Sequence, residues 1–367
     1  MVDRIYSIDS TRIVAMIFVI LIHTDLFEGM GAYGNIANFI IETSARFAVP
    51  FFFMTSGYFF AAKVSHSNVT EYFFRRVARI SSIYVFGILL TAPVFLTDAI
   101  VRAHIEHRSV VNSAIHEMAG FISPLELIYY GDSVSEILWF LPALLFSLSL
   151  IYLFIKFDKT KYLIPVSLGI HVVGLLGGSY TMFVDVPFRN RDALFFGFFY
   201  TSLGYYLATH DWQPTTERSR LYLGATVLFG VLHIAERYLL GYVLTDRTFA
   251  HGVYSPSYTI ITVLVTVSLF LFLLSRPTLG KSTSLPSLGK YAVGVYVVHP
   301  SVLFVLQNGS AVLSVAGYEI ENTIVWHLTL TPATFVGALL IYVVVDELGL
   351  IEIGGSHLPR SDRFRVW

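Results

Sequence analysis

The sequence contains no cysteine among its 367 residues. A disulfide framework, a thiolate metal site and a cysteine acyl-enzyme are therefore excluded. Charged side chains are also scarce, at 13% of the chain, whereas an ordinary soluble domain has about 25%. Hydrophobic residues make up 55% of the chain, and a soluble fold cannot hide that much apolar surface. The composition indicates a protein whose helices are solvated by lipid.

Several signatures of common activities are missing as well. The net charge of -1 argues against nucleic acid as the main partner. The sequence has no GxSxG elbow of a serine hydrolase, no P-loop and no Asp-x-Asp pair. It also lacks an HExxH pattern, and we predict no metal site. These absences count against soluble-type hydrolases, ATPases and many metal-dependent glycosyltransferases.

Apolar runs long enough to cross a bilayer, about 20 residues each, recur along the whole chain. They predict an all-α, polytopic membrane protein with about ten transmembrane helices, organised as a single integral-membrane domain over residues 1–367. A long external loop is expected at about 102–135. The predicted spans are centred on Val19, Phe52, Ile88, Phe146, Gly169, Phe199, Phe229, Leu269, Val298 and Leu340.

The distribution of Lys and Arg predicts the orientation, because cytoplasmic loops carry an excess of both. With the N-terminus in the cytoplasm, most of these residues fall in the inner loops, including the clusters at 75–79 and 156–161. The loop around Glu106 is then external. We predict both termini in the cytoplasm and a multi-pass protein of the cell membrane.

Arg12 and His23 are two ionisable residues in the first span, where such residues are costly and are functional candidates by default. They lie about three helical turns apart, on one face of the helix and about 16 Å apart in depth. This spacing suits a reaction in which a charged donor enters from the inner side and an acceptor binds on the outer side. Alternatively, Arg12 extends to the inner headgroups and His23 is an interfacial residue.

Further polar or small residues lie in later spans. Glu42 and Arg46 form an i,i+4 pair in the favourable order. Ser56 and Gly57 are small residues that allow helices to pack closely. His299 precedes Pro300, which removes a backbone hydrogen bond from its helix. A buried, hydrogen-bonded structural histidine is the alternative interpretation of His299.

A basic cluster of Arg75, Arg76 and Arg79 lies at the inner end of the third span. Such a cluster is typical of the positive-inside signal, with or without bound anionic lipid. It also suits a phosphorylated carrier such as coenzyme A, because Arg pairs bidentately with phosphate.

Taken in order, these motifs resemble the membrane-bound acyltransferase 3 family of O-acyltransferases. The hallmark of that family is an Arg, ten residues and a His in the first span, matched here by Arg12 and His23. The other similar stretches are 46–58, the basic cluster, 138–142 and 295–300. Many members place a His just before the Leu-Trp-Phe-Leu stretch, where this chain has Ile137. The role of that histidine therefore cannot be transferred.

The resemblance implies an enzyme that moves an acyl group, commonly acetyl from acetyl-coenzyme A, onto a hydroxyl of a glycan, a lipid-linked sugar or another extracytoplasmic acceptor. Acetyl-CoA or another acyl-CoA would be the co-substrate. The expected partners are thus acyl-CoA, a carbohydrate or lipid-linked acceptor and membrane lipids, without nucleic acid. Arg12 and His23 are implied as the catalytic pair, and Arg75 and Arg76 as donor contacts. Further candidates for substrate or donor binding are Arg79, Arg46, Ser56, Tyr58, Trp139 and His299.

Two questions stay open at the level of the sequence. His23 could act as a general base on the acceptor hydroxyl or as a transient acyl carrier. The rival class is a transporter, in which Arg12, His23, Glu42, Arg46 and His299 form a substrate or proton pathway. The sequence shows no internal repeat with paired broken helices, which favours the enzyme.

Overall fold

The computed structural model describes residues 4–105, 107–132, 134–183, 193–210, 212–315 and 317–348. Within these ranges the chain is helical and contains no strand. The predicted all-α class is therefore confirmed. The helices are α1 (Tyr6–His23), α2 (Gly31–Ala45), α3 (Ala48–Val64), α4 (Val69–Ile105), α5 (Val110–Phe121), α6 (Phe140–Lys156), α7 (Leu163–Gly178), α8 (Phe198–Thr209), α9 (Ser219–Tyr238), α10 (Ile260–Ser275), α11 (Leu285–Leu288), α12 (Ala292–Val315) and α13 (Ile324–Glu347).

Every predicted span centre lies in a helix. Among the described residues, 8 helical segments are long and apolar enough to cross a membrane. The remaining two centres, Phe199 and Leu269, lie in α8 and α10, which have 12 and 16 residues. The count of ten and the cytoplasmic termini stay predictions. Glu106 and the C-terminal residues 349–367 lie outside the described part of the chain.

The second predicted span consists of two helices, with α2 ending at Ala45 and α3 beginning at Ala48. Pro50 explains the interruption, because it has no N–H to donate to the carbonyl of Arg46. Proline is tolerated in the first turn of α3, where the N–H groups have no intrahelical partner. Glu42 therefore lies on α2, and Arg46 at the junction between α2 and α3.

The segment predicted as a long external loop at 102–135 does connect two candidate spans, Val69–His104 and Glu136–Lys156, but it is largely helical. Its side of the membrane stays a prediction. Helix α4 continues to Ile105, and α5 and a π-helical turn at Glu126–Tyr130 follow it. The i,i+4 ion pair between Asp98 and Arg102, at 2.8 Å, supports the last turns of α4. The polar residues that end this apolar run in the sequence do not end the helix.

Close helix packing occurs where α3 meets α8. Gly57 lies against the carbonyl of Thr201, and Gly204 lies against the carbonyl of Met54. A Cβ at either glycine would collide with the neighbouring backbone, so the small residues permit this approach. Helix α1 contacts α2, α3 and α10 to α13. This central position surrounds both Arg12 and His23 with other helices.

Candidate active site

A narrow cavity lies between α1, α3, α4, α6 and the beginning of α12. Arg12, Ser56, Arg76 and Lys290 contribute its polar lining. Helices α1, α4 and α12 all begin at this end of the bundle. Arg12 and Arg76 lie about two turns after the start of α1 and α4, and Lys290 lies just before α12. None of the described residues that line the cavity is acidic. The arrangement suits an anionic ligand, and Lys290 is a contributor that the sequence analysis had missed.

The orientation of Arg12 is set by its neighbours on α1 and α3. Its Nη1 lies 3.1 Å from a carboxylate oxygen of Asp9, and its guanidinium lies 5.0 Å from the centre of the Phe59 ring. Asp9 also accepts a hydrogen bond from Nε of Arg4 at 2.7 Å. Because Asp9 is shared between two arginines, its single negative charge neutralises Arg12 only in part. The Arg12 side chain is 12% exposed and borders the cavity.

The three arginines of the basic cluster on α4 do not share one environment. Arg76 lines the cavity, whereas the Arg75 side chain is 66% exposed and pairs with Glu71 at 3.4 Å. Arg79 is exposed and lies outside the cavity lining. Successive residues of an α-helix point about 100° apart, so adjacent arginines face different surroundings. The structure thus brings Arg76 to Arg12 and separates Arg75 from both.

His299 is fully buried in α12, and its orientation follows from the next residue. Pro300 has no N–H, which leaves the carbonyl of Tyr296 without its usual helical donor. The Nδ1 atom of His299 lies 2.6 Å from this carbonyl oxygen. Because a carbonyl only accepts, Nδ1 carries the proton and Nε2 has the lone pair. Nε2 has no hydrogen-bond partner among the described residues.

The imidazole of His23 lies beside that of His299. The ring centres are 5.8 Å apart, and the ring planes are inclined by 37°. His23 is half-buried at the end of α1, so the pair lies where the buried core meets the C-terminal end of this helix. At this separation a single hydroxyl group can contact both rings. The histidines predicted from two distant spans are therefore brought together.

The other resemblance-based candidates lie in packing contacts. Trp139 packs against the Phe53 ring at 6.2 Å, outside the lining of the cationic cavity. Tyr58 packs edge-on against Phe270 at 5.7 Å. The hydroxyl of Tyr296 accepts a hydrogen bond from the Phe140 N–H at 3.2 Å and donates one to the carbonyl of Ile137. This contact holds the 138–142 stretch against α12.

Arg46 belongs to a separate network, which also contains residues that the sequence analysis had missed. Glu42 pairs with Arg46 and with Nη2 of Arg237, the latter at 3.2 Å. Arg237 is fully buried, and its Nη2 also donates to the carbonyl of Tyr254 at 3.2 Å. Its Nε and Nη1 have no hydrogen-bond partner among the described residues. The sequence analysis had not singled out Arg237, and only its position at the end of an apolar run hinted at burial.

Glu236, next to Arg237, extends this network to the loop that follows α7. The Tyr180 hydroxyl donates to Glu236 at 2.5 Å, and the N–H of Ile261 donates to the second carboxylate oxygen at 3.1 Å. Burial raises the pKa of Tyr180, and the hydrogen bond to Glu236 raises it further. Tyr180 therefore stays protonated as a donor. Among the described residues no group of three or more His, Asp or Glu side chains could hold a metal ion.

The fold and this site define a helical membrane protein with a cationic cavity at one end of α1 and a histidine pair at the other. Residues 5–343 match the family described as "Acyltransferase domain". The match covers nearly the whole chain, and the protein therefore belongs to this family, as the sequence resemblance predicted. Residues 5–343 thus form an acyltransferase domain of the O-acyltransferase kind, and the family and the many apolar helices indicate an integral membrane protein.

Two curated relatives are similar to parts of this chain. An "Amino-acid racemase" of Enterococcus faecalis is 29% identical over 199 residues, which cover 52% of this chain and 25% of that protein. A "Serine/alanine racemase" of Enterococcus gallinarum is 25% identical over 314 residues, or 80% of this chain and 40% of that protein. The chain thus spans less than half the length of these relatives, and their names describe those longer proteins. No solved structure matches the chain.

Proposed function

We propose that this acyltransferase moves an acyl group, most simply acetyl, from cytoplasmic acyl-CoA to a hydroxyl of an extracytoplasmic glycan or lipid-linked sugar at the cell membrane. The proposal rests on one observation, namely that α1 has two different environments along its length. Arg12 borders a cavity lined by cations, and His23 lies beside the buried His299 about three turns further along the helix. One helix therefore connects an anion-binding region to an acid/base region.

The cavity has the chemistry that a coenzyme A thioester requires. Its phosphates need charge-assisted donors, which Arg12, Arg76 and Lys290 supply. The apolar wall, which includes Phe52 and Phe140, suits the uncharged pantetheine arm. Because Arg12 and His23 are about 16 Å apart in depth, an extended donor is needed to bring the reacting thioester to the histidines. A long carrier with its charge at one end meets this requirement, and the cavity itself, at about 40 Å³, holds only a small part of it.

The transfer step follows from the positions of the two imidazoles. His23 takes the proton of the acceptor hydroxyl while its oxygen forms a bond to the acyl carbon, and the carbon–sulfur bond then breaks. The departing thiolate then takes this proton from the His23 imidazolium, which restores the neutral imidazole of His23. The lone pair on Nε2 of His299 accepts a hydrogen bond from a neighbouring hydroxyl of the acceptor and thereby orients the acceptor. Here His23 is the catalytic base and His299 holds the substrate.

The experiment that tests the proposal uses the purified protein in proteoliposomes with acetyl-labelled coenzyme A on one side and a hydroxylated glycolipid on the other. We expect covalent label in the glycolipid from the native protein and none from the His23→Ala variant. Label that crosses the bilayer without covalent transfer would support a transporter and contradict the proposal. Acceptor-free incubation separates the two chemistries of His23, since label retained on the protein indicates an acyl-histidine intermediate.

A further inference from the structure

Packed side chains separate the cationic cavity from the histidine pair. On α1, Met16, Val19 and Ile20 lie on the same face as Arg12 and His23. These three apolar side chains are at most 2% exposed. The described side chains thus fill the space between the two ends of α1. The thioester of a donor bound in the cavity reaches the imidazoles only if a side chain moves.

A row of aromatic rings connects the cavity to the histidine pair. Phe140 lines the cavity and packs against Tyr296, with the ring centres 5.5 Å apart. The Tyr296 ring lies 5.7 Å from the imidazole of His299, which in turn neighbours His23. Phe140 is therefore the ring of this row that borders the cavity, and the ring of Tyr296 separates it from His299.

Helices α4 and α12 are in close contact beside this row. A Cβ at Gly87 of α4 would lie 2.6 Å from a methyl group of Val297. About one turn further along both helices, the hydroxyls of Thr91 and Ser301 form a buried hydrogen bond at 3.0 Å. These contacts close the interface between α4 and α12 at the level of His299. The shortest way from the cavity to the histidines therefore runs past Phe140.

The position of the Phe140 ring is fixed by the hydroxyl of Tyr296. A 3-10 turn at Glu136–Trp139 ends where α6 begins, at Phe140. The N–H of Phe140 donates to the Tyr296 hydroxyl at 3.2 Å, and this hydroxyl donates to the carbonyl of Ile137. Because the first N–H groups of an α-helix have no acceptor four residues earlier within the helix, these two hydrogen bonds hold the start of α6 against α12. They keep the Phe140 ring over that of Tyr296.

We propose that Phe140 is a specificity-determining residue of this protein, whose ring closes the way from the donor cavity to the histidine pair and limits the size of the acyl group that passes. Tyr296 is the positioning residue that holds the ring in place. The inference rests on the proposed transfer from acyl-CoA, because the acyl group is the end of the donor that enters this way first. A short acyl group needs a small displacement of the ring, whereas a long chain needs the space that the ring occupies.

The test measures the affinity of non-reactive donor analogues by isothermal titration calorimetry of the purified protein in nanodiscs. The probes are S-ethyl-coenzyme A and S-hexyl-coenzyme A, thioethers without a carbonyl carbon to transfer. Empty nanodiscs correct for partition of the hexyl chain into lipid. Phe140→Leu and Phe140→Ala reduce the ring in two steps. Phe198→Ala is the matched control, because Phe198 is also buried, packs against Phe154 at 6.0 Å and lies outside the cavity lining.

We expect the native protein to bind the S-ethyl compound at least as tightly as the S-hexyl compound. In Phe140→Ala the additional methylene groups enter the vacated space. The affinity ratio should therefore move at least about tenfold toward the S-hexyl compound, as burial of two methylene groups would give. Phe140→Leu should move the ratio by less, and Phe198→Ala should leave it unchanged. Because the ratio compares two ligands on one preparation, a variant that folds only in part still gives a valid result.

Tyr296→Phe tests the positioning role, since it keeps the ring and removes the hydroxyl. The affinity ratio should move in the same direction as in Phe140→Ala, by up to about fivefold, as the loss of a neutral hydrogen bond would give. An unchanged ratio in this variant would refute Tyr296 as the positioning residue.

Two outcomes would overturn the assignment of Phe140, namely an unchanged ratio in Phe140→Ala and a native protein that already prefers the S-hexyl compound by tenfold. A native protein that binds neither compound would overturn the route as a whole. These measurements need neither an acceptor nor turnover. A failure of the proposed acyl transfer is therefore recognised separately, by the absence of covalent label in the glycolipid.

Discussion

Two regions of the molecule each contain an arginine on a membrane-spanning helix, and their surroundings differ. Arg12 is 12% exposed, shares the carboxylate of Asp9 with another arginine and borders a cavity lined by cations. Arg237 is fully buried and is held by Glu42 and by the carbonyl of Tyr254. An arginine that is recognised within a span is a functional candidate by default, as Arg12 was in the sequence analysis and Arg237 was not. The comparison teaches that an intramembrane arginine is available to a ligand only where the packing leaves space beside it.

The largest expected effect is a loss of transfer rate on substitution of His23, which lies on the same helix as Arg12. His23→Gln keeps a side chain of similar size that cannot carry a proton, so the transfer rate should fall by about 10²- to 10⁴-fold. The thermal unfolding temperature should stay close to that of the native protein, because His23 is only half-buried. Transfer from acyl-CoA is measured under single-turnover conditions. Activity within tenfold of the native protein would refute His23 as the base and direct attention to His299.

The next largest effect is a loss of stability when the contact between Glu42 and Arg237 is removed. Arg237→Leu leaves a buried carboxylate with one partner fewer, which typically costs about 3–5 kcal/mol. Arg247→Leu is the control, because Arg247 is exposed and surface changes are usually within about 0.5 kcal/mol. Thermal unfolding in detergent measures both. A variant Arg237→Leu with unchanged stability but an altered acceptor KM would place Arg237 in the substrate site and remove the contrast with Arg12.

The smallest expected effect is on the KM for acyl-CoA, and it should differ between two neighbouring arginines of α4, Arg75 and Arg76. Arg76→Ala should raise the KM for acyl-CoA by about tenfold, because a hydrogen bond to a charged group contributes about 1.5–3 kcal/mol. Arg75→Ala should change this KM less than about twofold, since an exposed ion pair such as Arg75 with Glu71 contributes little. The acceptor KM should be the same in both variants, and steady-state kinetics with each substrate varied in turn measures it. Equal effects of the two substitutions would show that the cluster acts only through its overall charge.

Much of the architecture follows from local patterns in the sequence. Apolar runs predicted the class and located every span centre in a helix, because each helix must satisfy its own backbone hydrogen bonds in lipid. The spacing of Arg12 and His23 placed them on one face of α1. The His299-Pro300 dipeptide also determines which nitrogen of the imidazole carries the proton, since Pro300 leaves a carbonyl for Nδ1 within the same turn.

Other features depended on which helices meet. His23 and His299 form a pair, and Glu42 meets Arg237, across long separations in the sequence. Helical periodicity tells which side of a helix a residue occupies but not which helix faces that side. The same limit explains why the sequence does not distinguish Arg75 from Arg76. Helices α1 and α3 enclose only Arg76, and Arg75 stays exposed. Local patterns thus determined the helices and their polar positions, and tertiary packing alone decided which polar groups are paired, enclosed or open to a ligand.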